Sequence, residues 1–237
     1  GWSWYEREAR SPSQCNGDSI MNVFDDSLRV CKQEYVDLYR VVCGVDGRRG
    51  KDGKWVFPHT EAESAGIAEG LRRAKKSGKA RATGISSHDL PWLKYMMETF
   101  PDVIDVVITP YTARTKMQPN DETGFHAAVQ RCDCGFFGIK PFAGTSLFKG
   151  DSSPGNLHEE EDNRLARLAI RYILCNPAIT APIPGMINAE QVDNVALAVA
   201  ERRELDMVER AELDRAMDRA WACLPKHYEF LKNWEYI

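Results

Sequence analysis

Small, hydroxyl-bearing and turn-forming residues follow several β-prone runs of this sequence. The clearest case is Ser86-Ser87-His88-Asp89, which ends a run that begins at Ala80. Comparable stops are Thr109-Pro110-Tyr111, Lys140-Pro141-Phe142-Ala143-Gly144 and Ile183-Pro184-Gly185. Hydroxyl, amide and backbone groups of this kind orient a bound ligand, and small residues leave room for it. A simple helix cap ahead of Pro91, made by a serine, His88 or Asp89, explains the first stop equally well, and both interpretations can hold together.

Helical and β-prone segments alternate along the chain. The spacing of apolar residues predicts helices over residues 18–33, 61–76, 88–99, 121–131, 160–175, 189–200 and 207–222. It predicts strands over residues 35–42, 80–86, 103–109, 135–140 and 178–183. Because the strands are continuous apolar runs, they indicate a parallel sheet covered on both faces. The fold class is therefore α/β, as either an open doubly wound sheet or part of a (β/α)8 barrel. No G-x-G-x-x-G fingerprint follows a strand.

Composition excludes several classes of function. The net charge of -4, with 31 basic and 35 acidic residues, argues against nucleic acid as the main partner. No apolar run approaches the roughly 20 residues of a membrane-spanning helix, and we expect a soluble, cytoplasmic protein. Seven cysteines without a dense framework favour free thiols. Cys132 and Cys134 form a C-x-C pair, but no close companion completes a ligand set, so no metal is predicted.

Four longer runs carry a resemblance to a known family. They are DDSLRVCKQEYVDLYRV, GLRRAKKSGKARATGISSHD, GFFGIKPFAGTSLF and AIRYILCNPAITAPIPGMINAEQVDNV, in this order. They resemble segments of the aldo-keto reductase superfamily, closest to its bacterial oxidoreductase branch, over about residues 18 to 200. The resemblance implies a (β/α)8 barrel that binds NADP(H) across its carboxyl end and reduces carbonyls or oxidises alcohols.

The resemblance also implies where the cofactor binds. Ser86 and Ser87 occupy the places of a serine and an asparagine that hydrogen-bond the nicotinamide carboxamide in the family. Lys140 stands where many members place a ring that stacks on nicotinamide, and an ammonium there could instead approach a phosphate, a substrate carboxylate or solvent. The other residues implied in cofactor binding are Pro141, Phe142, Gly144, Ile183, Gly185, Met186, Gln191 and Asn194. The segment 183–194 contains no lysine or arginine, so NAD(H) remains an alternative to NADP(H).

The sequence says less about the substrate pocket and the catalytic residues. Tyr111 and Trp234 are expected in the substrate pocket, although the aromatic residues of the C-terminal tail could equally pack against helices or a second subunit. The family's catalytic tyrosine, aspartate and lysine belong to a part of the barrel that precedes this chain. The place of its histidine is taken by Val42, which cannot donate a hydrogen bond. The catalytic residues are therefore unknown.

The strand number leads to an expectation about chain organisation. A barrel of this class needs eight strands, and only about five βα units are predicted here. We expect one domain over residues 1–237 that is incomplete at its N-terminus, with residues 204–237 forming a C-terminal helix and tail over the barrel. An open five-stranded sheet is the alternative.

Two functions follow from these observations. The first is an NAD(P)H-dependent oxidoreductase that acts on a small carbonyl or a sugar-like alcohol. The second is a catalytically impaired relative that binds a nucleotide or a protein partner, which Val42 favours. The identity of the substrate and the oligomeric state are left open by the sequence.

Overall fold

The structure, a computed structural model, describes residues 14–44, 48–49, 51, 55–114, 124–151, 153 and 155–232. Five strands form a sheet in the order β1 (Val36–Val42), β4 (Ala80–Ser86), β5 (Val106–Pro110), β6 (Gly135–Ile139) and β7 (Ala181–Ile183). Two further strands, β2 (Arg48–Arg49) and β3 (Trp55–Val56), form an antiparallel pair. The pairs β1–β4, β4–β5 and β6–β7 are all parallel. The chain divides into two compact units: unit 1 comprises Gly1–Thr109 and Asn120–Phe136, and unit 2 comprises Pro110–Pro119 and Phe137–Ile237.

Unit 1 contains the first half of the alternating elements. In chain order they are α1 (Gly17–Cys31), β1 (Val36–Val42), β2 (Arg48–Arg49), β3 (Trp55–Val56), α2 (Glu61–Lys76), β4 (Ala80–Ser86), α3 (Leu90–Thr99), most of β5 (Val106–Pro110), α4 (Phe125–Arg131) and the start of β6 (Gly135–Ile139). The predictions for α2 and β4 are confirmed to the residue, and those for α1 and β1 to within two residues at either end.

Side-chain caps explain where the helices of unit 1 begin. Asn16 accepts a hydrogen bond from the Ser19 amide at 2.9 Å ahead of α1. Thr60 and Glu63 form a capping box at the start of α2, and Asp89 accepts from the Trp92 amide at 2.7 Å ahead of α3. Of the caps that the sequence allowed before Pro91, the structure therefore uses Asp89.

Helix α1 packs against one face of β1, and α2 packs close to α1. The ring of Tyr39 in β1 stacks on Phe24 of α1 with centroids 3.9 Å apart. Helix α2 approaches the residues just before α1 so closely that a Cβ atom on Gly66 would lie 2.1 Å from the backbone oxygen of Cys15. Only a glycine fits a contact at which backbone meets backbone.

Unit 2 contains the remaining elements. They are the end of β6, α5 (Glu159–Leu174), β7 (Ala181–Ile183), α6 (Ala189–Glu201), α7 (Met207–Ala222) and a 3-10 helix (Lys226–Lys232). Helices α5, α6 and α7 share one buried apolar cluster, to which Leu165, Ala198 and Leu213 contribute one side chain each. All three helices therefore belong to one core.

A buried ionic network fixes helix α7 in unit 2. Arg171 of α5 donates from two nitrogens to the two carboxylate oxygens of Glu209, at 2.9 Å each. The side chain of Arg171 is 3% exposed and that of Glu209 is 9% exposed. Arg203 donates to the same carboxylate, and the neighbouring guanidinium groups hold the pKa of Glu209 far below its ordinary value. Glu209 also closes a capping box with Asp206 at the start of α7.

Three details differ from the sequence predictions. Strand β5 begins at Val106 rather than residue 103, because the amides of Val103 and Ile104 both donate to the Phe100 carbonyl in a turn. Strand β7 begins at Ala181 rather than residue 178, because the amides of Ala178 and Ile179 bond to Asn176. The short strands β2 and β3 were not among the predicted strands. All seven cysteines have free thiols, as predicted.

In the part of the chain that the structure describes, no helix is both long and apolar enough to cross a bilayer.

His126 of α4 gives unit 1 a pH-dependent stability. Its ring lies against Phe125 and stacks on Phe136, and this burial lowers the pKa of the imidazole. The native state therefore holds the proton less tightly than the unfolded chain, so stability should fall as the pH drops through about 6.5. Urea unfolding at pH 7.5 and pH 5.5 should show a larger loss for the wild type than for His126→Gln. Equal losses in the two proteins would refute this assignment.

Candidate functional site

The carboxyl ends of β1, β4 and β5 place Val42, Ser86 and Ile108 side by side in unit 1. Val42 is in register with Ser86, and Ser86 is in register with Ile108. Tyr39 faces helix α1, and side chains alternate along a strand, so Val42 lies on the sheet face opposite that helix. Ser86 and Ile108 share this face with Val42 through the register.

The hydroxyl of Ser86 is held by a cation. Arg40, also on the face opposite α1, donates from Nη1 to the Ser86 oxygen at 2.5 Å. The Ser86 oxygen acts as the acceptor, so its own proton remains for one donated hydrogen bond. Ser86 can therefore donate to an amide oxygen, which is what a carboxamide contact requires.

Ser87 is used differently. It is 2% exposed, and its hydroxyl donates to the Gly44 carbonyl at 2.6 Å and accepts from the Asp89 amide at 3.1 Å. Gly44 is held on its other side as well, because its amide donates to Nε2 of His59 at 2.7 Å. The single proton of Ser87 is thus already donated, and only an acceptor site remains for a ligand.

Two neighbours of Ser86 are apolar. Val42 and Ile108 are each 8% exposed. Neither side chain can donate or accept a hydrogen bond, so polarisation of a carbonyl at this level of the sheet would need other groups. Arg40, two residues before Val42 in β1, is a cation on the same face of the sheet.

Lys140, at the end of β6 in unit 2, faces aromatic rings. It has a left-handed backbone, with φ of 59°, and its ammonium lies 4.6 Å from the ring centroid of Phe230 and 5.6 Å from that of Tyr228. Both rings belong to the 3-10 helix. The structure thus gives this ammonium a cation–π contact, which was not among the environments expected for it, and its role in cofactor binding remains a prediction.

The residues after Lys140 are mostly structural. Pro141 is buried, and Phe142 belongs to the apolar cluster of unit 2 and packs against Phe148. Gly144 has φ of 74°, and a Cβ atom there would lie 2.8 Å from Cε2 of Tyr228. Gly144 therefore makes room for the ring of Tyr228, and the roles of these three residues in cofactor binding remain predictions.

The segment after β7 is open. Ile183 and Met186 are exposed, as is Ile187 at 75%. A Cβ atom on Gly185 would meet no atom within 4 Å. This backbone run leads directly into the N-terminus of α6.

Two side chains shape that N-terminus. The side chain of Asn188 accepts from the Gln191 amide at 2.9 Å, and Oε1 of Gln191 accepts from the Ile187 amide at 3.0 Å. Amides at a helix start carry a partial positive charge and favour an anion. Gln191 thus fixes the turn before α6.

Asn194, also predicted to bind the cofactor, joins two helices of unit 2. Its Oδ1 accepts from Nη1 of Arg167, and its Nδ2 donates to the Asn163 carbonyl at 3.0 Å. Both ends of the amide are occupied by partners from α5. This arrangement fixes α6 on α5, and a contact of Asn194 with a cofactor remains a prediction.

Of the two residues predicted for the substrate pocket, the structure describes only Tyr111. Tyr111 is 1% exposed, and its phenol oxygen accepts from Nδ2 of Asn176 at 2.7 Å in the core of unit 2. Burial raises the pKa of this phenol well above its ordinary value. Trp234 lies outside the described residues. The substrate-pocket roles of both remain predictions.

Sequence reasoning missed two features of unit 1. The first is Arg40, a charged residue within the β-prone run 35–42. A charge inside such a run is unusual, and this was the signal in the sequence that could have identified Arg40. Cys15, His59 and Glu63 form a cluster whose potential ligand atoms all lie within 4.8 Å of one another. No local motif joins Cys15 to the other two, because 44 residues separate it from His59.

Comparisons with known proteins agree with this fold. The family model described as Aldo/keto reductase family matches residues 7–218. The holo form of aldo-keto reductase AKR11C1 from Bacillus halodurans is similar at 20% identity, with 90% of this chain and 71% of that chain covered and a TM-score of 0.59. Thermostable aldo-keto reductase Tm1743, in complex with the inhibitor epalrestat, gives 17% identity, 86% and 68% coverage and a TM-score of 0.60.

A third solved structure, the aldo-keto reductase MGS-M4 from a Medee basin deep-sea metagenome library, gives 16% identity, 85% and 66% coverage and a TM-score of 0.58. A search of curated proteins found no match. The structural likenesses, at this level of identity, show the fold. The parallel five-stranded sheet with alternating helices is consistent with a partial (β/α)8 barrel, as the resemblance implied. With the family model matched over residues 7–218, the chain belongs to the Aldo/keto reductase family.

Proposed function

We propose that this protein is an NAD(P)H-dependent oxidoreductase that acts on a small carbonyl or a sugar-like alcohol. The observation that carries the proposal is the open backbone run from Ile183 to Ile187, which leads into the N-terminus of α6. Apolar side chains beside positively polarised amides suit a flat, partly apolar ligand that carries phosphate. Membership of the family supports the same ligand class.

The residues present fit a nicotinamide cofactor in part. The α6 N-terminus and Gly185 leave space for a phosphate group, because a Cβ atom at Gly185 would have no neighbour within 4 Å. Ser86 retains a proton that can be donated to a carboxamide oxygen. When bound, the cofactor would supply or accept a hydride. The 183–194 segment has no basic side chain, so it offers no ion pair to a 2'-phosphate.

A second function is favoured by a specific observation. Val42 is a buried valine where the resemblance places a histidine. A relative that binds the nucleotide without turnover would keep the open segment and lack the donor at Val42. Saturable cofactor binding without reduction of any carbonyl in a broad panel would favour this second function.

Cofactor binding is tested by fluorescence titration of the protein with NADPH and NADH. Gly185→Asp puts a carboxylate just before the α6 N-terminus. We expect it to weaken cofactor binding by about tenfold, because repulsion between this carboxylate and the cofactor's phosphate costs roughly 1–2 kcal/mol. Leu197→Asp is the matched control, since Leu197 is exposed toward the other end of α6. It should bind as the wild type does.

The possible results of the titration separate the alternatives. Saturable binding that Gly185→Asp weakens and Leu197→Asp preserves supports the proposed site. Equal affinity in all three proteins would place the cofactor elsewhere. No binding of either nucleotide by the wild type would overturn the oxidoreductase proposal.

A further inference from the structure

Three side chains of unit 1 converge on one point. Cys15 precedes α1, His59 precedes α2, and Glu63 lies in the first turn of α2. One ligand atom from each lies within 4.8 Å of the other two, and Sγ of Cys15 is 3.5 Å from Nδ1 of His59. We propose that Cys15, His59 and Glu63 bind a thiophilic divalent cation of the Zn²⁺ class.

The spacing of the sulfur and nitrogen atoms suits zinc. Zinc binds sulfur at about 2.3 Å and imidazole nitrogen at about 2.0–2.1 Å, so two tetrahedral ligands of these types lie about 3.6 Å apart. Cys15 and His59 have nearly this separation before any ion is bound. A carboxylate oxygen of Glu63 supplies the third ligand, and a water molecule can take the fourth position.

The surroundings hold the ligands in place. Cys15 and His59 are each 4% exposed, so their side chains have little freedom to turn away. Oε2 of Glu63 accepts from the amide of Thr60 at 2.7 Å and from its hydroxyl at 2.9 Å. Metal-binding carboxylates are commonly oriented by hydrogen bonds of this kind. The cap of α2 therefore also positions a ligand.

The protons can be accounted for. Because the Gly44 amide donates to Nε2 of His59, the neutral ring carries its proton on Nδ1, facing Cys15. Cation binding would move this proton to Nε2 and release the Gly44 amide from its partner. Cys15 would lose its thiol proton to solvent. Burial holds the pKa of that thiol at about 11, so the cation itself must drive the deprotonation.

The balance of interactions favours the bound state. Binding gives up the hydrogen bond from the Gly44 amide, sets that amide against the new proton on Nε2 so that the two groups must move apart, and costs one thiol deprotonation. It gains bonds from a thiolate, an imidazole and a carboxylate to the ion, which together outweigh a single neutral hydrogen bond. Binding should therefore release one proton and change the environment of the Gly44 amide.

The pair that the sequence suggested is a poorer candidate. Cys132 and Cys134 flank Asp133, which has φ of 51°, at the turn after α4. In the described part of the chain, this pair is not within ligand distance of a third suitable group, whereas the Cys15 cluster is. Cys132 therefore serves as a thiol control for the experiment.

The test uses the full chain, freed of metal with a chelator and then dialysed against Zn²⁺ or Co²⁺. We expect one bound ion per chain and a sulfur-to-cobalt charge-transfer band in the Co²⁺ spectrum. Cys15→Ser should abolish the band and weaken Zn²⁺ binding by about 100-fold or more, while Cys132→Ser should leave both unchanged. The absence of a stoichiometric ion, or a band that survives Cys15→Ser, would overturn the proposal.

Glu63→Gln keeps the experiment decisive if Cys15→Ser fails to fold. Glutamine preserves the capping box of α2 but removes the anionic ligand, so the fold should persist. We expect Zn²⁺ affinity to fall by about 10–100-fold. Unchanged affinity in a folded Glu63→Gln protein would also refute the site. Because no nucleotide is present, failure here is distinct from failure of the cofactor proposal.

Discussion

Replacement of Glu209 by glutamine should lower the free energy of unfolding by about 3 kcal/mol, because it leaves the guanidinium of Arg171 buried without its main counter-charge. Glu201, 3.3 Å from Arg171, is half exposed and compensates only in part. Glutamine still satisfies the capping-box geometry at Asp206, so the loss reports the charge rather than the cap. Urea denaturation followed by circular dichroism measures the effect.

Glu212→Gln is the matched control on the same helix. Glu212 pairs with Arg164, whose side chain is 46% exposed, and a surface pair of this kind is worth about 1 kcal/mol or less. The loss of stability caused by Glu209→Gln should also depend on pH. Since the pKa of Glu209 is depressed in the native state, its contribution is present above about pH 4.5 and is lost as the pH falls. Equal losses in the two variants at pH 7 would contradict the assignment of Arg171 and Glu209 as a buried pair.

Gly66→Ala should destabilise unit 1 by about 2–4 kcal/mol, although alanine is the better helix former by about 1 kcal/mol. The new methyl group would lie 2.1 Å from the Cys15 carbonyl oxygen and 3.1 Å from Cα of Asn16. These are backbone atoms, so the chain that leads into helix α1 must shift. The midpoint of urea unfolding measures the loss.

Gly17→Ala provides the comparison for Gly66→Ala. The nearest atoms to a Cβ at Gly17 are Nη1 of Arg73 at 3.1 Å and Cγ of Glu69 at 3.2 Å, both on flexible side chains. These side chains can move at little cost, so we expect a change within about 1 kcal/mol. If Gly66→Ala proved as mild as Gly17→Ala, the backbone contact between α2 and the residues before α1 would be looser than the structure indicates.

Local patterns explain why much of the fold was predictable. Helix α2 begins at the capping box of Thr60 and Glu63 and ends just before Gly78. Both signals are local, and the prediction of residues 61–76 was correct at both ends. The starts of β5 and β7 were misplaced, because turns bonded to Phe100 and Asn176 interrupt apolar runs that look like strand. Apolar composition alone does not distinguish a buried turn from a buried strand.

The candidate site was less predictable, because its contacts join distant parts of the chain. Arg40 and Ser86 are 46 residues apart, so nothing in the local sequence shows that the guanidinium reaches this hydroxyl. The partners of Lys140 are equally remote, in the 3-10 helix. Residue type identified Ser86 as a polar group at a strand end, but only the register of neighbouring strands determines what lies beside it.

The apolar residues at 183, 186 and 187 have a thermodynamic consequence. These three side chains are exposed to water, which orders around apolar surface and raises the heat capacity of the solution. A ligand that covers them releases this water, so its binding carries a negative heat-capacity change. The binding enthalpy must then become more favourable with rising temperature, as the entropy becomes less so. We therefore expect the binding of a ligand that covers this exposed segment to depend on temperature in this way.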